Sequence, residues 1–488
     1  MNPLKKLFKQ TAIYGLATVL PRMFSFLLVP LYTSVMPPGM YGEVQLIFMW
    51  FVVFNVFLAY GMETAFFRFY RETDQRDKVV TTSLVSLLVS STLFFFVGYL
   101  FKENLGRVLN FDSSYVMYVL LILFLDTLVI VPFAWLRANE KPLRYAIIKI
   151  INVAVNLGLN LFFILLLPKI FSENPDSFLG KLFIPENEIN YILISNVAAS
   201  ALTFILMAKI YFRRSYSFDT ELWKKMIVYA VPVMIAGIAF SINEVFNRFL
   251  LTELLPEDIA KSEMGKYAAC IKLALFMTLF ATAFRLGIEP FFFSHSKTKN
   301  PQKAYAQITN YFVILGSAIL LTVVVFADIL KLIMVRNEAY WDAMSAVPII
   351  LLASFCLGVY HNLSVWYKIT DRTKYGAYIS SIGAILTLVI NFALIPKIGY
   401  MASAWGTLIA YGTMMSLSYY FGRKHYPIPY NMRKICFYAG ISVLFSVLSF
   451  YVFERNLIAG SILLLVFLGL IYKLEGDKLK SIFLKRAN

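Results

Sequence analysis

The segment Gly61-Met62-Glu63-Thr64-Ala65-Phe66-Phe67 closes an apolar run, and it returns as Gly287-Ile288-Glu289-Pro290-Phe291-Phe292-Phe293 at the close of another. Trp135-Leu136-Arg137-Ala138-Asn139-Glu140-Lys141 returns in the same way as Trp366-Tyr367-Lys368-Ile369-Thr370-Asp371-Arg372. At that spacing Asn160 meets Asn391, and Tyr41-Gly42 has a counterpart in Gly265-Lys266-Tyr267. Four matches in one order, displaced by about half the chain, define an internal repeat.

The repeat lies in a chain of 488 residues that is 59% hydrophobic and 15% charged. Soluble domains are about 45–50% apolar and about 25% charged, so a soluble, secreted or nucleic-acid-binding globular class is excluded. A bilayer span takes about 20 apolar residues, so fourteen would use roughly 280 residues, in line with the apolar fraction. Apolar runs separated by short polar loops predict helices at about 11–33, 43–67, 79–101, 114–136, 143–167, 189–211, 223–251, 267–293, 304–327, 342–367, 375–395, 400–422, 434–453 and 457–472. The two copies of the repeat are six helices apart. An even number gives both the same orientation, and hence a parallel repeat about an axis along the membrane normal, with the site expected between the halves. The expected fold is an all-α membrane protein of about 14 transmembrane helices: two six-helix lobes related by a parallel pseudo-two-fold repeat, plus two C-terminal helices. The expected boundaries are 1–215 for the N-lobe, 216–425 for the C-lobe, and 426–488 for the last two helices and a cytoplasmic tail.

Net charge is +17, and its placement explains it. With the N-terminus inside, about 30 of the 45 basic residues fall in inside segments and about 10 in outside loops. Both termini are therefore expected in the cytoplasm. The excess is a topology signal together with contact to anionic lipid, and nucleic acid is not an expected partner. Cys270, Cys356 and Cys436 lie far apart in apolar runs, with no CxxC pair, so neither a metal site nor a redox motif is read. The N-terminal run carries no small-residue cleavage site and is expected to be a retained span.

Charge near a bilayer centre costs about 2.5–3.5 kcal/mol or more, so it marks a cavity or a partner. Arg22, beside Pro21, is central in the first helix. The seventh carries Asn243, Glu244, Asn247 and Arg248; the eighth carries Lys272, Arg285 and Glu289. Glu244 with Arg248 and Arg285 with Glu289 have four-residue spacing, which reads either as structural ion pairs or as pairs opened by an anionic substrate. Lys149, two turns from the inner end of the fifth helix, either snorkels or lines a cavity. Arginine forks suit a diphosphate, so Arg22, Arg248, Arg285, Lys272 and Lys149 are the substrate-binding candidates. Asp126, alone in the fourth helix, reads either as a proton or sodium coupling site or as a structural aspartate held by a hydroxyl or amide. Asp126, Glu244, Glu289 and Glu63 are the ion-coupling candidates. Pro132, Pro232 and Pro348 lie in or near spans, where they loosen the helical ladder. No GxxxxGK[ST] loop, no HExxH and no long outside loop occurs, so no catalytic residue, metal or cofactor is expected.

Thr11-Ala12-Ile13-Tyr14-Gly15 with Pro21-Arg22, Pro30-Leu31-Tyr32, Tyr41-Gly42-Glu43, Gly61-Met62-Glu63-Thr64-Ala65 with Arg68, and Glu289-Pro290-Phe291-Phe292-Phe293 resemble the polysaccharide flippases of the multidrug/oligosaccharidyl-lipid/polysaccharide exporter (MOP) superfamily. The resemblance covers nearly the whole chain. It implies two six-helix lobes around a V-shaped cavity and alternating access. The cargo it implies is an undecaprenyl-diphosphate-linked oligosaccharide carried to the outer leaflet of the bacterial cytoplasmic membrane. Relatives that flip the peptidoglycan lipid precursor also have fourteen helices, and a cation-coupled drug exporter is a further alternative. The expected partners are the lipid-linked glycan, membrane lipids and polysaccharide polymerase machinery. Family members often carry an Asp-Arg pair late in the seventh helix, where this chain has Asn247-Arg248.

Overall fold

The structure, a computed structural model, describes residues 26–72, 75–109, 111–212, 215–295, 300–370, 372 and 374–484. No strand occurs among the described residues, and 11 helices are long and apolar enough to cross a membrane. In chain order the helices are α1 (Phe26–Val35), α2 (Pro38–Tyr70), α3 (Arg76–Leu100), α4 (Ser113–Ala138), α5 (Pro142–Glu173) and α6 (Glu188–Phe212). Then follow α7 (Thr220–Leu254), α8 (Glu257–Cys270, continued through one 3-10 turn into Leu275–His295), α9 (Pro301–Val325) and α10 (Glu338–Ile369). The series ends with α11 (Lys374–Ile398), α12 (Tyr400–His425), α13 (Met432–Val452) and α14 (Leu457–Leu484). The predicted helices from the second to the fourteenth have their counterparts, as does the first from residue 26 on, its residues 11–25 lying outside the described ones, and the chain is an all-α, multi-pass membrane protein.

The described residues fall into two compact units, one running to Phe249 without Pro37–Gly39, the other comprising Pro37–Gly39 and everything from Leu250. In unit 1, buried Met62, Phe66, Val80, Leu84, Val131, Leu136 and Met226 form a continuous core joining α2, α3, α4 and α7. In unit 2, α12 packs closely on both α10 and α11, and α13 packs along α9.

The repeat segment has a definite structural task in unit 1. α2 breaks after Ala59, where Tyr60 has φ +30° and Gly61 has φ +72°. A β-carbon on Gly61 would lie 2.3 Å from the carbonyl oxygen of Ala230 on α7. Glycine therefore supplies both the left-handed backbone and the room for α7 to approach.

The matched asparagines are also explained. Asn160 and Asn391 are both fully buried. Asn160 accepts from the Tyr32 hydroxyl at 2.8 Å and donates to the Asn156 carbonyl. Asn391 accepts from Ser403 at 2.8 Å and donates to the Thr387 carbonyl at 2.7 Å. Each ties a fifth-position helix of its copy to a neighbour, which an unpaired amide at this depth would not allow.

Two features exceed the hydropathy reading. The eight-residue helices Lys102–Leu109 and Ala327–Met334 follow α3 and α9, at equivalent points of the repeat, and are too short to register as spans. α14 was expected to end near 472 and instead runs to Leu484. Its apolar span ends by Gly476, while residues 477–484, with two lysines and two leucines, are good helix formers and carry the helix on.

Candidate functional site: a polar cavity within unit 1

α5 carries Tyr145, Lys149, Asn152, Asn156 and Asn160 at spacings of four, three, four and four. That spacing keeps all five on one helical face, so a polar stripe runs through a helix that is otherwise apolar. It faces Asn196, Ser200 and Thr203 on α6, Asp126, Phe133 and Arg137 on α4, and Asn55 and Glu63 on α2. Together these elements enclose a polar cavity that is open to its surroundings.

The walls are cross-linked by hydrogen bonds. Asn152 donates to Thr203 Oγ1 at 2.9 Å, and Asn156 donates to Asn196 Oδ1 at 2.8 Å. Asn160 donates to Asn156 Oδ1 at 2.9 Å, which carries the chain on to Tyr32. Deeper, Ser200 donates to Asp126 Oδ1 at 2.7 Å. Glu63 and Arg137 form an ion pair at the end of the cavity near the C-terminus of α4. The Arg137 guanidinium lies 4.8 Å from the Phe67 ring, and the Lys149 ammonium lies 4.3 Å from the Phe133 ring. Two carboxylates and two cations thus balance inside the cavity. The amides offer both donors and acceptors to a polar guest.

The predicted residues divide accordingly. Asp126, Lys149 and Glu63 meet in this cavity. Arg137, read in the sequence only as a repeat and topology position, joins them; its signal was the register with Lys368. Arg285 lies elsewhere, in unit 2, where it shares a small pocket with His361, Asn362 and Lys368. Lys272 sits in the 3-10 turn Ile271–Ala274 of α8. Arg248 is half-buried on α7, with its Nε buried. Arg22 lies outside the described residues, as do the side chains of Glu244 and Glu289, so the two four-residue pairs read from the sequence are not described. Arg68 holds its guanidinium 4.5 Å from the ring of Tyr229. No group of three or more His, Cys, Asp or Glu side chains that could hold a metal ion occurs among the described residues.

The repeat makes the cavity informative. With Trp135 on Trp366, the stripe Tyr145-Lys149-Asn152-Asn156 on α5 falls on Gly376-Ser380-Gly383-Thr387 of α11, and Asp126 falls on Leu357. There a β-carbon on Gly376 would meet the Tyr367 ring at 2.9 Å, and one on Gly383 would meet Met414 at 2.5 Å. The same register is thus a polar cavity in one unit and closely packed in the other.

Comparison with known proteins fits this architecture. The family model for polysaccharide biosynthesis proteins matches residues 7–275, more than half of the chain, and the protein belongs to that family. No curated protein matches it. Among solved structures it is similar to the Lipid II flippase MurJ in an inward closed conformation, with a TM-score of 0.72 and 12% identity over 95% of this chain and 99% of that one. It is also similar to an inward-facing multidrug resistance MATE family transporter of the MOP superfamily, with a TM-score of 0.64 and 12% identity over 83% and 94%. A third is a MOP superfamily transporter from Pyrococcus furiosus, with a TM-score of 0.57 and 14% identity over 89% and 97%. At these identities the likeness is one of fold.

Proposed function

We propose that this protein is a flippase that moves an undecaprenyl-diphosphate-linked oligosaccharide from the inner to the outer leaflet of the bacterial cytoplasmic membrane by alternating access, for cell-surface polysaccharide synthesis. The observation that supports this most is the cavity of unit 1, which holds Asp126, Lys149 and a wall of asparagines within the span region of a polysaccharide biosynthesis family member. Such groups are costly at membrane depth, and a cavity that keeps them hydrated fits transport rather than packing. Transport without catalysis, a bundle with both termini in the cytoplasm, and delivery of the glycan to polymerase machinery complete the reading.

Asp126 is assigned to ion coupling, through a proton or a sodium ion, with Glu63, Glu244 and Glu289 as further acidic groups. Arg22, Arg248, Arg285, Lys272 and Lys149 are assigned to the anionic parts of the cargo, for which guanidinium forks are suited. The test is reconstitution in vesicles with a fluorescent polyprenyl-diphosphate oligosaccharide under imposed proton or sodium gradients. Gradient-dependent movement between leaflets supports the reading, and none for the wild-type protein sinks it. The second reading, a flippase for the lipid-linked peptidoglycan precursor, is favoured by the end-to-end match to the Lipid II flippase.

A further inference from the structure

The lining of the unit 1 cavity carries a chemical preference. The space measures about 380 Å³, within the range of small-molecule sites. Asn152 and Asn156 on α5, Asn196 on α6 and Asn55 on α2 all border it. Amides that serve only as links between membrane helices are packed against their partners, whereas these four border open space. The bonds of the wall use one N–H of each amide on α5 and α6: Asn152 to Thr203, Asn156 to Asn196, and Asn196 to the Ile192 carbonyl at 2.8 Å. Each of the three keeps its second N–H for a guest, and Asn152 keeps its oxygen. Among the described residues none bonds to the Asn55 side chain.

Charge in the lining cancels. Glu63 is paired with Arg137, and the Asp126 carboxylate shares the cavity with the Lys149 ammonium. Two cations offset by two carboxylates give neither an anionic nor a cationic guest a net attraction. Phe133 and Tyr145, edge-on to each other with ring centroids 5.2 Å apart, add an apolar patch to the same lining. Uncharged donors and acceptors together with aromatic rings match a pyranose, whose hydroxyls lie around its rim and whose C–H groups form apolar faces. Two neighbouring hydroxyls fit one amide, the first donating to its oxygen and the second accepting from its N–H. The repeat places Gly376, Ser380, Gly383 and Thr387 where unit 1 has Tyr145, Lys149, Asn152 and Asn156. The amide wall is therefore an addition of unit 1 rather than part of the common scaffold.

We propose that this amide wall is the specificity site of the carrier and takes an uncharged sugar residue with vicinal hydroxyls. Asn152 accepts from one hydroxyl and donates to its neighbour. Asn156 and Asn196 donate their second N–H to further hydroxyls, and Asn55 takes either part. Phe133 and Tyr145 cover an apolar face of the ring. The sugar seated here thus carries no carboxylate, phosphate or free amine. That it arrives on a lipid carrier rests on the proposed function.

The test is equilibrium binding to the full-length protein in nanodiscs. The three probes share one lipid: farnesyl diphosphate, farnesyl-diphosphate-linked glucose and farnesyl-diphosphate-linked glucuronate. The glucose probe is expected to bind about tenfold or more tightly than farnesyl diphosphate, and the glucuronate probe to gain little over it. Asn55→Ala and Asn152→Ala should each weaken binding of the glucose probe by up to about tenfold. Farnesyl diphosphate should bind both variants as it binds wild type, which a general loss of structure would not permit. Asn55 makes no side-chain bond that its replacement would break, and thermal melting confirms that both variants fold. Equal binding of the glucose probe and farnesyl diphosphate, tighter binding of the glucuronate probe than of the glucose probe, or an unchanged preference in either folded variant would each overturn the proposal. Gradient-driven flipping in the reconstitution assay alongside any of these results would reject the sugar site and leave the proposed function standing. No binding of any probe also overturns the proposal, and no flipping in that assay removes the proposed function with it.

Discussion

The Ser200 hydroxyl on α6 donates to Asp126 Oδ1 on α4 at 2.7 Å, inside a cavity that also holds Lys149. The bond presents the carboxylate with a fixed donor on one oxygen and cavity space near the other groups of the stripe. An ion bound at Asp126 would change the formal charge of the cavity that α4, α5 and α6 line. Asp126→Asn keeps the shape and the acceptor while removing the titration. It is expected to fold, to bind cargo and to lose the dependence of flipping on the ion gradient. Flipping measured with and without a gradient checks this, and unchanged gradient dependence contradicts the coupling role.

Gly61 combines φ +72° with a β-carbon position 2.3 Å from the Ala230 carbonyl oxygen. Gly61→Ala is expected to destabilise the protein by about 1–3 kcal/mol or more, since strained backbone and overpacking act together. Gly158, which has open space at its β-carbon position in the middle of α5, provides the control. Gly158→Ala is expected to be neutral or to stabilise by up to about 1 kcal/mol. Thermal melting in detergent distinguishes the two.

Asn391 is fully buried and accepts from Ser403, which is also fully buried. Asn391→Ala leaves that hydroxyl without this acceptor and opens space beside Gly406, so a loss of about 1–3 kcal/mol is expected. The paired replacement Asn391→Leu with Ser403→Ala removes both polar partners and is expected to recover part of that loss. A double-mutant cycle followed by thermal melting measures the coupling.

The helices, the repeat and the membrane class were legible because each rests on a pattern longer than any one side chain: apolar runs, a loop charge bias, and motif order. The cavity was only half legible. Asp126 and Lys149 stood out as charges in apolar runs. Asn152, Asn156, Asn196 and Ser200 are uncharged, and such residues occur in spans as ordinary interhelical links. Their meaning depends on which face of α5 meets which face of α6, and hydropathy does not carry that. The five-residue stripe on α5 was present in the sequence as a spacing, and testing each helix for a polar face would have found it. Arg137 was masked by its own position: at the end of a span it reads as a topology charge, and only the fold brings Glu63 to it.

Asp112 caps α4, accepting the Ser114 amide at 2.8 Å. The hydrogen bonds from the Ser114 side chain and backbone hold its carboxyl below its ordinary value near 3.8. With a lowered folded-state value, the cap contributes fully above the ordinary value, and its contribution is lost as pH falls through the folded one. Asp112→Ala is expected to cost about 0.5–2 kcal/mol at neutral pH, and the difference from wild type should close under strong acid. Melting curves across pH check the sign; a gap that widens on acidification contradicts it.

The central claim, that the protein carries a lipid-linked oligosaccharide, is tested most directly by depleting it in its own host and analysing the undecaprenyl-linked glycans by mass spectrometry. The account predicts that a repeat unit of several sugars accumulates on the lipid carrier. Accumulation of the disaccharide-peptide precursor, or of no lipid-linked glycan at all, would contradict it.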